Sequence, residues 1–465
     1  MPYWTMADLL HATEGTLIGG DAARSATGVS IDSRTLRPGE VFFAIRGPRH
    51  DGHDYLAQAI ERGAAAAVVS RRPERLAPPA GFPLVLVEDT TPALQRLATH
   101  HRRGRRLPVI AVTGSNGKTT TKELIAAVLG EERSVFKAPG NLNNHWGLPL
   151  ALLGLEAHHE AAVLEMGMSG FGEIAALCRI AQPTVGVLTT IAPAHLETLG
   201  SVAGVQKAKG ELVEAIGPDG VVVLNADDPL VAALGREARG RVVRYGRAEG
   251  AEVRLLGAVV ASADGLEFSM ALGGAAQPVH LPLAGEHNAG NALAAAAVGV
   301  ALGLAPAVIA RGLAKVTPLK GRLAWREAHG VRLLDDTYNA NPGSVRAALD
   351  TLRAAGGPGR AFVVLGDMLE LGTHTEAAHR EAGRWVAELP ADGLLTLGPA
   401  ARLAAEAGRA AGCPDVVVAD SPEAVAAALA ERLAPGDRCL VKGSRGMRME
   451  RVIERLLPLL ARREG

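Results

Sequence analysis

Cysteine is scarce in this chain. Three residues in 465, Cys178, Cys413 and Cys439, are an odd number without metal-ligand spacing, which argues against a disulfide framework or a zinc site and fits a reducing cytoplasm. An excess of either charge is also missing. With 49 basic and 49 acidic side chains, no long-range field draws the protein to nucleic acid or an anionic membrane, so small molecules are the expected partners. The one basic run, Arg102-Arg103-Gly104-Arg105-Arg106, is isolated and reads as a solvated connector. Residues 1–8 lack a basic stretch followed by an apolar one, so no secretory leader and a cytoplasmic location are expected. Short-period repeats are missing too, which argues against a solenoid. The uncharged stretch 292–310 could span a bilayer on length alone. It is rich in alanine and glycine and contains Pro306, so two helices packed in a core are expected instead, with no stable membrane insertion.

A chain this long exceeds one core and suggests about three domains. Residues 1–106 carry short strand-like runs around residues 39–45 and 65–69, separated by turn formers, and read as a small α/β unit. From Val109 onward, apolar runs alternate with helical segments, as in a mostly parallel sheet covered by helices, which sets a central domain at 107–316. Residues 317–465 repeat the habit and read as a second, Rossmann-like α/β domain.

The run Val109-Ile110-Ala111-Val112-Thr113-Gly114-Ser115-Asn116-Gly117-Lys118-Thr119-Thr120 carries most of the chemistry. An apolar strand enters a glycine-bounded loop in which Gly114 and Gly117 free the backbone to face an anion. Lys118 brings a point charge and Thr119 a hydroxyl for magnesium, so a nucleoside triphosphate is the expected ligand. The spacing is Gly-x-x-Gly-Lys-Thr, two residues shorter than the common phosphate-loop pattern.

Other candidates are weaker taken singly. Glu165 ends an apolar strand, where a carboxylate reaches a nucleotide-bound magnesium, or it caps a helix. His195 also follows a strand, where histidines are more often structural, and sequence physics does not choose between Lys207 and Lys209. Asn288 and Asn291 share a helix face and could read a purine edge, or Asn288 could cap the helix. Arg322 stands just past the expected hinge at 317–320, where a guanidinium could reach triphosphate oxygens on domain closure. Asp335-Asp336-Thr337-Tyr338-Asn339-Ala340-Asn341-Pro342 gathers donors and acceptors after a strand.

Together these residues resemble the Mur ligases, ATP-dependent amide-bond-forming enzymes of cytoplasmic peptidoglycan synthesis. The resemblance rests on residues 113–120, Glu165, His195, His287-Asn288-x-x-Asn291 and Gly321-Arg322. Glu165-Met166-Gly167-Met168-Ser169-Gly170, Ala208-Lys209-Gly210-Glu211, Gly366-Asp367-Met368-Leu369-Glu370-Leu371-Gly372 and Val441-Lys442-Gly443-Ser444-Arg445 narrow it. It implies joining of D-alanyl-D-alanine to UDP-N-acetylmuramoyl-tripeptide, with ATP, two magnesium ions and a carbamylated Lys209, by a monomer.

Site residues follow from the same resemblance. Lys118, Lys209, His195 and Arg322 are the implied catalytic set. Thr113, Gly114, Ser115, Asn116, Gly117, Lys118, Thr119, Asn288, Asn291, Arg322 and Asp336 are the implied nucleotide contacts, Asp336 at the ribose. Thr119, Glu165, His195 and Lys209 are the implied metal ligands. Ser33, Arg34, Asp51 and Gly52, in a UDP-binding amino-terminal domain, join Asn143, Asn144, Tyr338 and Asn339 as implied substrate contacts. The nearest rival is the ligase that adds a diamino residue one step earlier, whose Asp-Asn-Pro-Arg motif is missing here. His145-Trp146 departs from the family pattern and bears on fine substrate contacts.

Overall fold

The computed structural model describes residues 4–21, 24–73, 79–262, 264–389 and 391–462. Three main sheets follow one another along the chain. The first has five strands in the order Thr16–Leu17, Leu84–Leu86, Ala66–Val69, Glu40–Phe43 and Gly28–Ser30, parallel except at Thr16–Leu17. A two-stranded pair, Trp4–Thr5 with Ser25–Ala26, lies beside it.

The central sheet has nine strands. Its parallel part runs Val135–Lys137, Ala161–Glu165, Val109–Thr113, Val185–Leu188, Val221–Asn225, Arg241–Gly246 and Val253–Ser262, and two antiparallel strands, Gly265–Leu272 and Ala275–Leu281, extend it. Val109–Thr113 and Ala161–Glu165 are buried along their whole length, as expected of parallel strands covered on both faces. The chain leaves Val109–Thr113 toward one side of the sheet and later returns on the other at Val185–Leu188. That reversal of strand order places a crevice at the carboxyl end of Val109–Thr113, where open α/β sheets bind ligands.

Stretch 292–310 forms parts of two helices, His287–Ala301 and Pro306–Ala314. No helix among the described residues is long and apolar enough to cross a membrane. The alanines and glycines have a packing reason: a Cβ on Gly312 would lie 2.5 Å from Val128 Cα of helix Lys118–Leu129, so only small residues let these backbones approach. All three cysteines are free and buried.

The third sheet runs Ala324–Ala328, Val331–Asp336, Arg438–Lys442, Ala361–Gly366, Gly393–Leu397 and Val416–Ala419, parallel except for the first strand. Its loops 337–341 and 367–371 reach the central unit, through Asn341 to Asn116 and Glu370 to His195.

The basic run is not solely a solvated connector. Arg102 is buried and donates to the carbonyls of Ala181 (2.9 Å), Gln182 (3.2 Å) and Arg105, while His101 Nε2 bonds Leu155 O at 2.7 Å. A guanidinium has five donors and satisfies several carbonyls at once, so helix Thr90–Arg103 is fastened to the central unit. Trp146 adds to that seam by donating from Nε1 to Thr91 Oγ1 at 3.1 Å. The His145-Trp146 departure therefore has a structural use between the first two units.

Candidate active site

The loop after Val109–Thr113 is shaped by its two glycines. Gly114 has φ +151° and Gly117 φ +80°. A Cβ on Gly114 would fall 1.8 Å from Thr189 Oγ1, and one on Gly117 2.3 Å from Asn291 Oδ1. Gly114→Ala should destabilise the chain by about 1–3 kcal/mol through strain and overpacking, measured by denaturant unfolding; unchanged stability would mean the loop relaxes freely.

Two loop amides do not face the crevice. Ser115 N–H donates to Thr190 O at 2.7 Å and Asn116 N–H to Thr190 Oγ1 at 3.2 Å. The leading N–H groups of helix Lys118–Leu129 have no intrahelical acceptor, the arrangement by which helix N-termini can hold anions. Lys118 Nζ arches back to Gly114 O at 2.8 Å. Burial pulls its pKa down, Glu165 opposes that shift, and Arg322 adds to it.

Thr119 and Glu165 meet beside this turn. Thr119 Oγ1 donates to Glu165 Oε2 at 2.6 Å and accepts from Arg322 Nη2 at 2.8 Å. The other carboxylate oxygen, Oε1, accepts from Asn143 Nδ2 at 2.8 Å. Asn143, expected at the substrate, thus orients the strand-end carboxylate. Lys122, absent from the expectations, fixes the loop that carries Asn143 by donating to Ala138 O (2.8 Å) and Gly140 O (3.0 Å). Asn143→Ala should cost about 1.5–3 kcal/mol, because a hydrogen bond to a buried charge is lost; a thermal midpoint equal to wild type would contradict this.

Lys209, on helix Val202–Ala215, is 2% exposed, and among the described residues no hydrogen bond reaches its Nζ. Burial first, and the nearby Lys118 second, push its pKa well below the ordinary 10.5. A buried amine that loses its proton more readily is the better nucleophile. Lys207 instead places its Nζ 5.9 Å from the Phe171 ring centroid.

His195 sits at φ +53° and bonds Glu370 Oε2 through Nδ1 at 2.8 Å. That hydrogen bond holds the Glu370 carboxyl below its ordinary range. Among the described residues no three His, Cys, Asp or Glu side chains converge on a metal site, so His195 and Glu165 do not complete one with a third such residue. A hard cation is nevertheless compatible with the donors present. Thr119 hydroxyl and Glu165 carboxylate already converge, and magnesium typically takes one or two carboxylates and completes its shell with phosphate oxygens and water.

Asn288 does not cap its helix. Its Nδ2 donates to Ala284 O at 2.7 Å and its Oδ1 accepts from Asn291 Nδ2 at 2.8 Å. Asn291 Oδ1 accepts from Thr121 at 3.2 Å, so Asn291 braces the glycine loop. Asn288 also lines a crevice with Leu283, Val316, Thr317 and Arg322. Asp336 Oδ2 is paired with buried Lys442 at 2.5 Å, and its Oδ1 accepts from Leu323 N–H at 3.2 Å. A buried carboxylate needs such partners, and here they anchor the segment just past Arg322. Tyr338 stacks under the Arg322 guanidinium at 3.9 Å, while Asn339 is exposed and gives its carbonyl to Lys442 at 2.9 Å.

The remaining expected substrate residues make local bonds. Asn144 Oδ1 accepts from the N–H groups of Trp146 (3.2 Å) and Gly147 (2.8 Å), an Asx turn at the start of helix Gly147–Leu153. Ser33 Oγ donates to Gln58 at 2.6 Å, and Arg34 grips Asp32 with two bonds at 2.9 and 2.7 Å. Asp51 accepts from His53 Nδ1 at 2.6 Å, and His53 Nε2 in turn accepts from Ser70 N–H at 3.0 Å. A Cβ on Gly52 would lie 2.6 Å from the Ala44 carbonyl carbon, so glycine is required by close backbone approach.

Among the described residues three bonds cross from the third unit to the central crevice: Arg322 to Thr119, Glu370 to His195, and Asn341 Nδ2 to Asn116 Oδ1 at 2.7 Å. Each touches a residue expected in the ATP or metal site. Asn341 and Glu370 lie in motifs visible in the sequence, but nothing local marks them as cross-domain partners.

Comparison with known proteins places these features in context. A family model described as "Mur ligase middle domain" matches residues 112–299, "Mur ligase, glutamate ligase domain" matches 321–445, and "Mur ligase family, catalytic domain" matches 25–102. The UDP-N-acetylmuramoyl-tripeptide--D-alanyl-D-alanine ligase of Bacillus subtilis is 37% identical over 97% of this chain and 98% of its own. A crystal structure of MurF from Acinetobacter baumannii superposes with a TM-score of 0.88 at 33% identity, covering 98% of this chain and 99% of that one. The MurF ligase of Thermotoga maritima, solved in complex with ADP, gives a TM-score of 0.82 at 32% identity, covering 94% and 99%.

Proposed function

The chain belongs to the Mur ligase family and is an ATP-dependent ligase joining D-alanyl-D-alanine to UDP-N-acetylmuramoyl-tripeptide in peptidoglycan precursor synthesis, and we propose that it works through an acyl phosphate formed at the 114–119 loop. The observation that carries this reading is Arg322, which reaches from the start of the last domain to bond Thr119 of the loop. A phosphoryl group held there would meet cations from two domains.

In the proposed sequence, the terminal carboxylate of the tripeptide attacks the γ-phosphorus of ATP and ADP leaves. The amine of D-alanyl-D-alanine then attacks the activated carbonyl, the carbon–nitrogen bond forms, and inorganic phosphate departs. Two anions must approach in the first step. Lys118, Arg322 and the amides of the helix's first turn offset that repulsion and stabilise charge developing on the transferred group.

Thr119, Glu165 and Lys209 would hold magnesium, with His195 completing the set, and the metal would polarise the transferring phosphoryl group. Lys209 fits this role only after its amine gives up a proton and takes up carbon dioxide, since an ammonium repels a metal while a carbamate attracts it; burial and the nearby Lys118 favour the proton's loss. Asn143 keeps the Glu165 carboxylate aimed. Asn288, between the apolar walls of Leu283 and Val316, is the proposed adenine contact, with Asn291 acting behind it on the loop.

The proposed division of labour is UDP-sugar binding by residues 1–106, ATP binding by 107–316 and dipeptide binding by 317–465, in a monomer located in the cytoplasm. Movement about residues 317–320 would admit the substrates, and return to the arrangement seen here, with Arg322 on Thr119, would exclude water from the acyl phosphate. A tripeptide labelled with oxygen-18 in the reacting carboxylate tests the intermediate. One labelled oxygen should appear in the released phosphate; phosphate free of label, with the lost oxygen in water, would exclude an acyl phosphate.

A further inference from the structure

The third sheet carries two neighbouring loops at its carboxyl edge, 367–371 and 443–447, after the adjacent parallel strands Ala361–Gly366 and Arg438–Lys442. They are built as one unit. Ser444 N–H donates to Asp367 O at 3.0 Å, and Leu369 N–H donates to the buried Ser444 Oγ at 2.9 Å. A Cβ on Gly446 would lie 2.9 Å from Leu369 Cδ1, so Leu369 lies against the second loop.

This unit exposes a carboxylate, an apolar side chain and a guanidinium: Glu370 at 65%, Leu369 at 45% and Arg445 at 60%. Glu370 is held at φ +63° with one oxygen on His195, at the edge of the nucleotide crevice. Arg445 lies 5.8 Å from the centroid of the Tyr338 ring, which also stacks with Arg322. Among the described residues its one ion-pair contact is Glu450 at 3.2 Å, which occupies part of a five-donor fork. Both charged groups therefore adjoin the residues that line the reaction centre.

We propose that Glu370 and Arg445 form a clamp for a short zwitterion, Glu370 taking the ammonium and Arg445 the terminal carboxylate of the incoming dipeptide, with Leu369 against its methyl groups. This rests on the ligase reading above and specifies how its second substrate is chosen. The ammonium end falls beside His195, toward the centre where the amine must attack. The carboxylate end meets a planar guanidinium suited to bidentate pairing. A free carboxyl terminus thus becomes a condition for good binding.

Steady-state kinetics of the full chain with ATP, magnesium and UDP-N-acetylmuramoyl-tripeptide test the clamp, offering D-alanyl-D-alanine or its carboxyl-terminal amide. Wild type should prefer the free acid. Arg445→Gln should raise KM for D-alanyl-D-alanine roughly 10- to 100-fold, as expected for a lost charge-assisted pair, leave KM for ATP within about twofold of wild type, and abolish the preference for acid over amide. Arg445→Lys should recover part of that preference. Glu370→Gln should raise KM for both dipeptide forms alike.

An Arg445→Gln enzyme that still prefers the acid would overturn the carboxylate assignment. A Glu370→Gln enzyme with lower kcat and unchanged dipeptide KM would make Glu370 a domain latch and overturn its ammonium role. Wild-type turnover with a free diamino acid but none with either dipeptide form would overturn the ligase reading on which the clamp rests.

Discussion

Lys118→Ala should yield a folded chain whose turnover is lower by roughly two to three orders of magnitude, the loss typical when one preorganised electrostatic contact to a transition state is removed. Among the described residues Lys118 donates only to Gly114 O, at 2.8 Å; burial and Arg322 disfavour its charge, while Glu165 favours it. Deleting its charge removes the cost of burying it, which outweighs the lost attraction to Glu165, so stability should not fall. The cost appears when a triphosphate binds, since the point charge beside the helix's first turn is gone. Initial-rate kinetics with thermal denaturation of the same samples check both halves. A folded variant with wild-type turnover would remove Lys118 from the reaction.

Lys209→Met should abolish turnover and stabilise the protein in carbon-dioxide-free buffer at neutral pH. The direction follows from linkage. Burial, with Lys118 adding to it, sets the native pKa of Lys209 well below 10.5. Between that lowered value and 10.5, the unfolded chain binds a proton that the native chain does not, so wild-type stability rises with pH through this window. Below the window, each unit of depression costs the native state about 1.4 kcal/mol. Methionine has similar length and no charge, so the variant's advantage should be full below the window and shrink toward pH 10.5. Denaturant unfolding at several pH values reads this directly. A variant less stable than wild type at every pH would show that Lys209 makes native bonds offsetting its burial.

Much of the architecture was legible in the sequence, for identifiable reasons. Strands such as Val185–Leu188 and Ala361–Gly366 coincide with the apolar runs that announce them, because a parallel strand covered on both faces reads as a continuous hydrophobic stretch. The 114–119 loop is legible because its chemistry is local: two glycines, a lysine and a threonine at fixed spacing. Asn144 carried a readable signal as well, an amide three residues before Gly147, the spacing of an Asx turn that opens a helix.

What stayed hidden depends on contacts distant in sequence. Thr119 and Arg322 are 203 residues apart and Asn116 and Asn341 are 225 apart. Neither pair leaves a periodicity that could announce it. The bond of Asn143 to Glu165 at 2.8 Å and the pairing of Asp336 with Lys442 were equally unannounced, beside the substrate and ribose contacts expected of these two residues. Arg102 reads as solvated because its acceptors, the carbonyls of Ala181 and Gln182, belong to another unit of the chain. In each case the residue type was conspicuous and its partner was not.

Phosphate release by the purified chain with ATP and magnesium is the most direct test. One reaction offers UDP-N-acetylmuramoyl-tripeptide with D-alanyl-D-alanine, and a second offers UDP-N-acetylmuramoyl-dipeptide with a free diamino acid. Release that requires tripeptide and D-alanyl-D-alanine together is the expected result, whereas release only with dipeptide and diamino acid would place the enzyme one step earlier and contradict the assignment.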